Sequence, residues 1–595
     1  MAVLNLIEYF QSVFDPRTFT KKLAMNASSQ KGHPKGLYIL FATEMWERFN
    51  YYGMRAILIL FMTQALMFKN DFASNLYGSY ISLIYLSGLV GGYVADRFWG
   101  NQRSIIAGGI VMAISEVLLF FCASLYKEAP QLSSLLFYSG LGMMIAGNGF
   151  FKPNISNMVG QLYAPNDQRK DAAYTIFYMG INLGGAIGPF ICGLVGNTGD
   201  PADFKWAFLV AAIGMVISVI IQVIFHRKYV TDPEHNVLGL VPEHSPKASL
   251  SAVNTVGGLA LFSVLSIALI YADVKVVPYL FYLLIACFVL IPIMIYSDRS
   301  LNREEKNKVA VIITVCFFVI FFWSAFEQTG ASLTFFADSQ TERSFGWFKI
   351  PTWLITIAGA ALLYYTYKVF KKSSANLAGD HHRALRSTIQ VLLGLLALSI
   401  AAGLVYLIAS GKPYVNKEEI PTAWFQSLNS VFIILFAPIF AWIWMKLGKH
   451  EPSSPTKMAL GLLLMGLGYL WIGFGVKNIL PEAKVSMIWL TVLYALHTSG
   501  ELCLSPIGLS LVNKLAPVKF ASLLMAIWFT ANAFGNKLAG ALSALYPEKG
   551  QTTSVLGYQM SNLYDFFMLF VFMSGISSVI LFLLSRKLQK LMKGR

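Results

Sequence analysis

Long apolar runs separated by short polar segments follow one another along the whole chain. A helix needs roughly 20 apolar residues to cross the hydrocarbon core of a bilayer. The segments that meet this requirement are 37–66, 76–95, 105–126, 132–162, 172–195, 206–225, 256–272, 278–296, 309–336, 353–370, 389–409, 423–444, 458–476, 485–511, 520–545 and 566–584. The pattern therefore predicts an all-α polytopic membrane protein with about 16 spans.

The composition supports a membrane protein and excludes a soluble one. Of the 595 residues, 56% are hydrophobic and 13% are charged, whereas soluble domains are about 45–50% apolar and about 25% charged. The 46 Lys and Arg residues outnumber the 30 Asp and Glu residues, which gives a net charge of +16. We interpret this excess as basic cytoplasmic loops, not as a nucleic-acid-binding surface. The five cysteines all lie in apolar runs, which is typical of packing residues, and no metal site is expected.

The loops between the predicted spans alternate in charge. Every second loop is basic, as at 97–103, 169–170, 303–308 and 371–386, while the loops between them are short and of mixed charge. Since cytoplasmic loops are enriched in Lys and Arg, both termini are expected in the cytoplasm. That topology requires an even number of spans, which a count of about 16 satisfies.

The first predicted span contains ionisable residues that lipid does not tolerate. One stripe of a helix that turns about 100° per residue contains Glu44, Glu47, Arg48, Tyr51 and Arg55. Each charged side chain costs around 2.5–3.5 kcal/mol in a bilayer unless it is paired or hydrated. Four such charges would cost roughly 10–14 kcal/mol, so the stripe is expected to face a polar interior.

Polar side chains also interrupt later apolar runs. These residues are Lys152, Asn182, Glu327 and Glu501. Opposite charges on separate helices suggest paired gates that open and close a cavity, but a static buried ion pair remains an alternative for any one of them. Glu116 is isolated and is interpreted as structural, and His497 is interpreted as a hydrogen-bonded packing residue.

Several motifs occur in a specific order along the chain. They are Glu44-x-x-Glu47-Arg48 with Tyr51-Tyr52-Gly53-Met54-Arg55, then Phe150-Phe151-Lys152-Pro153-Asn154-Ile155-Ser156, Phe326-Glu327-Gln328, Trp424-Phe425-Gln426-Ser427-Leu428-Asn429 and Gly500-Glu501-Leu502-x-x-Ser505-Pro506. With this set the chain resembles the proton-dependent oligopeptide transporter family of the major facilitator superfamily. The segment Asp96-Arg97-Phe98-Trp99-Gly100-Asn101-Gln102-Arg103 is similar to that superfamily's loop between helices two and three.

The resemblance implies two six-helix bundles that rock around a site in the middle of the membrane. The implied regions are a cytoplasmic segment at 1–36, the N-terminal bundle at 37–228, a linker with an inserted transmembrane hairpin at 229–308, the C-terminal bundle at 309–585 and a cytoplasmic tail at 586–595. Inward proton movement would drive the uptake of di- and tripeptides, with protons as the coupling ion and no cofactor. The implied location is the plasma membrane, and short external loops favour a bacterial inner membrane.

The resemblance also implies the residues that bind the peptide. The peptide carboxylate would be held by Arg48, Arg55 and Lys152. The amino terminus and backbone would be bound by Asn182, Asn429 and Glu501. Side-chain pockets would be lined by Tyr51, Tyr52, Trp424 and Trp528. Further substrate-binding residues within the matched motifs would be Ser427, Ser505 and Glu327.

Proton coupling would depend on carboxylates. The residues implied are Glu44, Glu47 and Glu327, together with Arg48. Protonation of Glu327, the expected partner of Arg55, would release that arginine to bind the substrate. Animal relatives use a histidine on the second helix, whereas residues 76–95 contain none. The gating loop would contain Asp96, Arg97, Gly100 and Arg103.

A second insertion interrupts the predicted C-terminal bundle at residues 353–422. Ile350-Pro351-Thr352 precedes two apolar runs, and Ile420-Pro421-Thr422-Ala423-Trp424 follows them. Excision of the segment would restore the junction that is usual in the family. Because a pair of spans preserves topology, we predict a second transmembrane hairpin. It is either a peripheral, lipid-facing element or an interface with a second copy or a partner.

The leading functional hypothesis is a proton-coupled di- and tripeptide symporter. A symporter of the same fold for nitrate or a dicarboxylate is the alternative. A membrane enzyme or a peptide sensor is disfavoured, because the sequence contains no metal-ligand cluster, nucleophile–base motif, phosphate loop or soluble output domain.

Overall fold

The computed structural model describes residues 32–164, 167, 169–242, 252–275, 278–344, 349–376, 401, 404–405, 408–409, 411, 413–416, 419–480, 483–548 and 551–592. Within these residues, twelve helices are long and apolar enough to cross a membrane. The prediction of an all-α membrane protein is confirmed. The count of about 16 spans stays a prediction, since most of the predicted span 389–409 lies outside the described residues.

Six helices form the first group. Their bounds are α1 Lys35–Leu60, α2 Asn70–Val94, α3 Asn101–Leu125, α4 Pro130–Gln161, α5 Arg169–Gly196 and α6 Phe204–Tyr229. The π-helical turns Phe61–Ala65 and Ala95–Trp99 extend α1 and α2. Helix α1 packs against α5 and α6, and α3 packs against α4 and α6. Because protein surrounds α1, its charged stripe is buried instead of facing lipid.

Two helices occupy the predicted inserted hairpin. They are α7, Ala252–Lys275, and α8, Tyr279–Ser297. Helix α7 packs against α4 and α2 of the first group. Helix α8 instead packs against a helix of the second group, α15, Ala521–Ser543. The hairpin therefore has one helix on each side of the boundary between the two groups.

The second group begins with a broken helix. Helix α9 covers Arg303–Phe326, a 3₁₀ turn covers Glu327–Gly330, and the short α10 covers Ser332–Ser339. The predicted span 309–336 lies within one candidate membrane span, Arg303–Ser339, and the break inside it was not predicted. Apolar periodicity does not detect a break of one turn, yet such breaks are common where transporter helices line a cavity.

The remaining helices of the second group follow the second insertion. Their bounds are α12 Trp424–Leu447, α13 Ser454–Val476, α14 Ile488–Leu515, α15 Ala521–Ser543 and α16 Leu563–Met592. Helix α13 packs between α14 and α16, while α15 packs against α9. A parallel strand pair links the loops beside them, with β1, Thr341–Glu342, in register with β4, Val485–Ser486. A short hairpin of β5, Thr553–Val555, and β6, Tyr558–Met560, precedes α16.

The base of the second insertion is a two-stranded stem. Strand β2, Lys349–Pro351, pairs antiparallel with β3, Tyr414–Asn416. A further antiparallel bridge joins Ser344 to Glu419. Helix α11, Thr352–Asn376, leaves this stem, while the predicted basic connector lies mostly outside the described residues. The stem places the base of the insertion a few residues before the predicted start at 353.

The two helix groups contact each other closely at the end where α2 and α12 begin. Glycines allow α2 and α15 to approach backbone to backbone, because a Cβ at Gly78 would lie 2.8 Å from Cα of Gly540. Ser74 Oγ lies 3.2 Å from Ser543 Oγ in the same contact. At the opposite ends of the helices, Ser156 of α4 and Pro506 of α14 are exposed. Contacts of α2 with α15 and of α5 with α12 therefore join the two groups at the first of these ends.

Candidate functional site

The guanidinium of Arg48 lies between the two carboxylates of the α1 stripe. Its Nε donates to Glu44 Oε1 at 2.8 Å and lies 2.7 Å from Glu47 Oε2. All three side chains are buried. Glu47 also accepts a hydrogen bond from the amide of Asn148 on α4 at 3.0 Å. Both carboxylates thus contact the guanidinium inside the first helix group, whereas Glu44 Oε2 and Arg48 Nη2 have no hydrogen-bond partner among the described residues.

Asn148 was missed at the sequence level. It is a neutral amide between Gly147 and Gly149, two residues before the α4 motif, and it carries no charge to attract notice. The only available signal was an amide inside an apolar run, which has to find a hydrogen-bond partner when it is buried.

An ion pair joins the two helix groups, as the resemblance implied. Arg55 of α1 pairs with Glu327, which begins the 3₁₀ turn after α9. The Nε of Arg55 also donates to the hydroxyl of Tyr77 on α2, a partner that the sequence did not indicate. Both charges of the pair are nearly inaccessible to solvent. The break in the helix thus places a carboxylate at the boundary between the groups.

The amide and carboxylate expected to bind a peptide amine lie together in the second group. Asn429 of α12 donates to Glu501 Oε2 of α14 at 2.9 Å and to Thr498 Oγ1 at 3.1 Å. Asn182 is not part of this cluster, because its amide donates to the carbonyl of Tyr178 within α5 at 2.9 Å. Two of the three predicted amine-binding residues are therefore brought into contact.

Lys152 of α4 has an aromatic neighbour. Its ammonium lies 4.6 Å from the ring centroid of Tyr85 on α2, a cation–π contact. Among the described residues no carboxylate forms an ion pair with it. The side chain is half-buried and lies in the same group as Arg48 and Arg55. Its charge is therefore available to an anionic group of a ligand.

The predicted aromatic residues fall into two sets. Tyr51 and Tyr52 meet edge to face at 5.3 Å, and the Arg48 guanidinium lies 5.7 Å and 6.0 Å from their ring centroids. Trp424 instead stacks on Phe190 of α5 at 4.3 Å and donates to its carbonyl at 2.9 Å. The first set lies beside the charged stripe, while Trp424 lies in the contact between α5 and α12.

Of the other predicted substrate-binding residues, one lies in the contact between the two helix groups and two lie within the second group. Ser427 donates to the carbonyl of Ala186 at 2.8 Å, so it lies in the α5–α12 contact. Trp528 is buried, and a Cβ at Gly508 of α14 would overlap its ring. Ser505 of α14 is half-buried. None of these three described side chains joins the hydrogen bonds of Asn429 with Glu501 and Thr498.

The predicted gating loop lies beside the inserted hairpin. Asp96 and Arg97 are exposed. Gly100 has φ of +74°, a conformation that favours glycine. Arg103 is buried and donates to Thr255 on α7. The loop is therefore attached to the hairpin through Arg103.

Two residues interpreted as structural lie outside the polar cluster. Glu116 is buried and accepts a hydrogen bond from Asn50 at 3.0 Å. His497 packs on the ring of Tyr469, with centroids 4.7 Å apart. Burial of both side chains agrees with a packing role, but the hydrogen bond expected for His497 is not formed, since neither ring nitrogen has a partner of good geometry among the described residues.

Comparison with known proteins identifies the family. A model of the POT family matches residues 102–410 and 412–580. The chain belongs to the POT family. The peptide transporter YePEPT of Yersinia enterocolitica is 31% identical over 86% of this chain and 88% of its own length. A di-/tripeptide transporter of Lactococcus lactis subsp. cremoris is 30% identical over 87% of this chain and 90% of its own length.

Solved structures of POT family proteins have the same fold. A crystal structure of a POT family transporter in complex with a thioalcohol conjugated peptide superposes with a TM-score of 0.70, at 27% identity, over 94% of this chain and 98% of that chain. The relatives are named as transporters and permeases. Membership of the POT family thus confirms the resemblance and the class of membrane transporter, as distinct from an enzyme.

Proposed function

We propose that this POT family protein is a proton-coupled symporter that imports di- and tripeptides by alternating access. The observation that carries the proposal is the separation of charge between the two helix groups. Arg48, Arg55 and Lys152 lie in the first group, whereas Asn429 and Glu501 lie together in the second. The named peptide transporters among the relatives support the substrate class.

A zwitterionic peptide fits this arrangement of charges. Its carboxylate and ammonium groups are fixed at opposite ends of a short backbone, so recognition requires a basic wall that faces an acidic or amide wall. In our proposal, Lys152 and the arginines bind the carboxylate, and Glu501 with Asn429 binds the amine. A site of this kind holds the groups common to all short peptides and leaves side chains to looser aromatic surroundings such as Tyr51 and Tyr52.

Proton coupling is proposed to act through the Arg55–Glu327 pair. The pair joins the two helix groups while Glu327 is ionised. Protonation removes the negative charge, so Arg55 loses its partner and becomes available to the substrate carboxylate. The packing of the two groups supplies the two-state element that this charge change biases. No cofactor takes part in this scheme, in which protons are the coupling ion.

The orientation follows from the basic loops. We place both termini in the cytoplasm of a bacterial cell and the protein in the inner membrane, because the Lys- and Arg-rich loops mark the cytoplasmic side. The side that is closed between α2 and α15 is then external. In this orientation the exposed residues Ser156 of α4 and Pro506 of α14 lie toward the cytoplasm.

The test is uptake of labelled dialanine into proteoliposomes, with and without an inward proton gradient. For the wild type we expect gradient-driven accumulation. Glu327→Gln should abolish accumulation but retain counterflow exchange, because it removes the titrating group and keeps the binding site. Glu116→Gln is a matched control, since it makes the same change at a buried carboxyl outside the polar cluster, and it should transport like the wild type.

The results separate the parts of the proposal. Absence of dialanine uptake by folded wild-type protein would overturn the peptide assignment and direct the assay to nitrate and dicarboxylates. Gradient-driven accumulation by Glu327→Gln would overturn the coupling role of that carboxylate while leaving peptide transport in place.

A further inference from the structure

A second buried ion pair joins the inserted hairpin to the second helix group. Asp273, near the end of α7, pairs with Lys537 of α15. Ser79 of α2 connects the two charges, since its hydroxyl lies 2.6 Å from Asp273 Oδ2 and 2.7 Å from Lys537 Nζ. Helices from the first group, the hairpin and the second group therefore meet at one polar cluster, Ser79–Asp273–Lys537.

The cluster is fully buried and its partners are complete. The side chains of Asp273 and Lys537 have 0% and 3% of their surface exposed. The second carboxylate oxygen of Asp273 accepts a hydrogen bond from the backbone N–H of Leu280 on α8 at 2.9 Å. The ammonium of Lys537 also lies 5.2 Å from the ring centroid of Phe281. A buried ion pair is tolerated in an apolar interior when the remaining polar atoms of both side chains also have partners, as they do here.

The cluster lies within the contact that closes the external side. On α2, Ser79 lies between Gly78, which touches Gly540, and Ser82, which donates to the carbonyl of Ala533 at 2.8 Å. Opening of this side would have to separate α2 from α15 along this whole length. The Ser79–Asp273–Lys537 cluster would then lose at least one of its contacts.

The packing of the inserted hairpin leads to the same conclusion, that separation of the two helix groups would disrupt the cluster. Helix α7, which carries Asp273, packs against α2 and α4. Helix α8 packs against α15, which carries Lys537. Because the two halves of the hairpin are attached to different helix groups, relative movement of the groups acts directly on the Asp273–Lys537 pair.

We propose that Ser79, Asp273 and Lys537 form an outer latch, which is assembled when the external side is closed and pulled apart when it opens. The proposal rests on alternating access as described above. It gives the inserted hairpin a role in the transport cycle, because the hairpin supplies the anionic half of the latch. The three residues position the helices and do not contact the substrate.

The latch predicts a particular pattern in a double-mutant cycle. Asp273→Asn leaves the Lys537 ammonium buried and unpaired only while the external side is closed, whereas water hydrates it when that side opens. The open state is therefore favoured. Addition of Lys537→Met removes the unpaired charge and should restore the closed state, since an apolar replacement of a buried ion pair is often neutral. A pair that stays intact throughout the cycle predicts no shift in any variant.

The experiment measures the distance between two spin labels by double electron–electron resonance. The protein is in lipid bilayers and no substrate is added. Spin labels are placed at Asp71→Cys and Glu548→Cys, which are exposed positions beside the external ends of α2 and α15, in a background with the five native cysteines replaced. For Asp273→Asn we expect the ratio of long to short distances to rise on the order of tenfold or more. The double variant with Lys537→Met should return close to the wild-type distribution.

Two further variants make the outcome decisive. Ser79→Ala removes only the shared hydroxyl, so it keeps the charges paired; it should shift the distances in the same direction by about threefold to tenfold. Asp298→Asn breaks an exposed ion pair with Lys519 outside the α2–α15 contact and should cause no shift. If Asp273→Asn does not yield folded protein, an unchanged distribution for Ser79→Ala overturns the latch.

The distances in Asp273→Asn and the uptake of dialanine give the remaining outcomes. An unchanged distribution for folded Asp273→Asn overturns the latch and makes the pair a static anchor for the hairpin. Dialanine uptake, measured on the same preparations, tests the proposed function separately. Absence of uptake by the wild type, together with the predicted distance pattern in the variants, refutes the substrate and retains the latch, whereas wild-type distances in folded Asp273→Asn together with uptake by the wild type refute the latch alone.

Discussion

The close contact between α2 and α15 depends on the absence of a side chain at Gly78. A Cβ added there would lie 2.8 Å from Cα of Gly540 and 2.9 Å from the carbonyl oxygen of Asn536. Carbon atoms in ordinary contact are about 3.5–4.0 Å apart, and both neighbours are backbone atoms. Gly78→Ala would therefore force α2 and α15 apart by about 0.7 Å. We expect this overpacking to disfavour the closed state by about 1–3 kcal/mol, a roughly 5- to 150-fold change in the ratio of open to closed molecules.

Cysteine labelling measures this change. Ser82 is fully buried in the same contact, so Ser82→Cys in a cysteine-free background should react slowly with a membrane-impermeant maleimide. Gly78→Ala should raise the labelling rate by the factor given above. Gly88→Ala is a control on the same helix, because a Cβ at Gly88 meets no atom within 4 Å. Equal labelling rates for Gly78→Ala and Gly88→Ala would refute the steric reasoning.

Three further predictions concern the binding cluster, a surface ion pair and the second insertion. Asn429→Ala removes the amide donor that holds the acidic partner on α14, so the KM for dialanine should rise about tenfold or more while the thermal unfolding midpoint stays near that of the wild type. Hydrogen bonds from Lys519 and Ser300 hold the pKa of Asp298 well below its usual range, so this contact stabilises the protein above about pH 4 and is lost at lower pH. The unfolding midpoint of Asp298→Asn should accordingly be lower than that of the wild type at neutral pH, by a difference that shrinks in acid. The last variant lacks residues 345–418, which are replaced by a short glycine linker across the Ser344–Glu419 bridge. If the second insertion is a peripheral element, this variant should still integrate into the membrane and take up dialanine normally. Membrane integration without uptake would favour an interface.

Much of the architecture could be predicted from the sequence because membrane helices carry a strong signal. Long apolar runs mark the helices, and charges inside such runs have few physical explanations. The α1 stripe could be predicted for this reason, whereas the Arg55–Glu327 pair was implied by the family resemblance. The contact of Asn429 with Glu501 followed from the family motifs, since spacing along the chain does not bring two distant helices together.

The features that could not be predicted are neutral or depend on three-dimensional packing. Asn148 and Tyr77 form hydrogen bonds with Glu47 and Arg55 through uncharged groups. In a hydropathy pattern such residues do not differ from other polar residues in an apolar run. The helix break at Glu327 spans a single turn, too short to alter an apolar pattern. Asp273 lies just beyond the predicted run 256–272, where a charge is expected to reach water, whereas Lys537 lies inside the predicted run 520–545. Only the packing of the hairpin shows that the two residues are buried together.

The strand stem below the second insertion has a practical consequence for imaging. Its three paired positions, from Lys349–Asn416 to Pro351–Tyr414, hold both chain ends of the insertion in a fixed antiparallel register. A rigid soluble domain grafted onto these two strands in place of the helices would inherit that register, and with it a constant orientation relative to α12. Transporters of this size offer few features outside the micelle for particle alignment in electron cryomicroscopy. The stem provides an attachment point for such a fiducial marker.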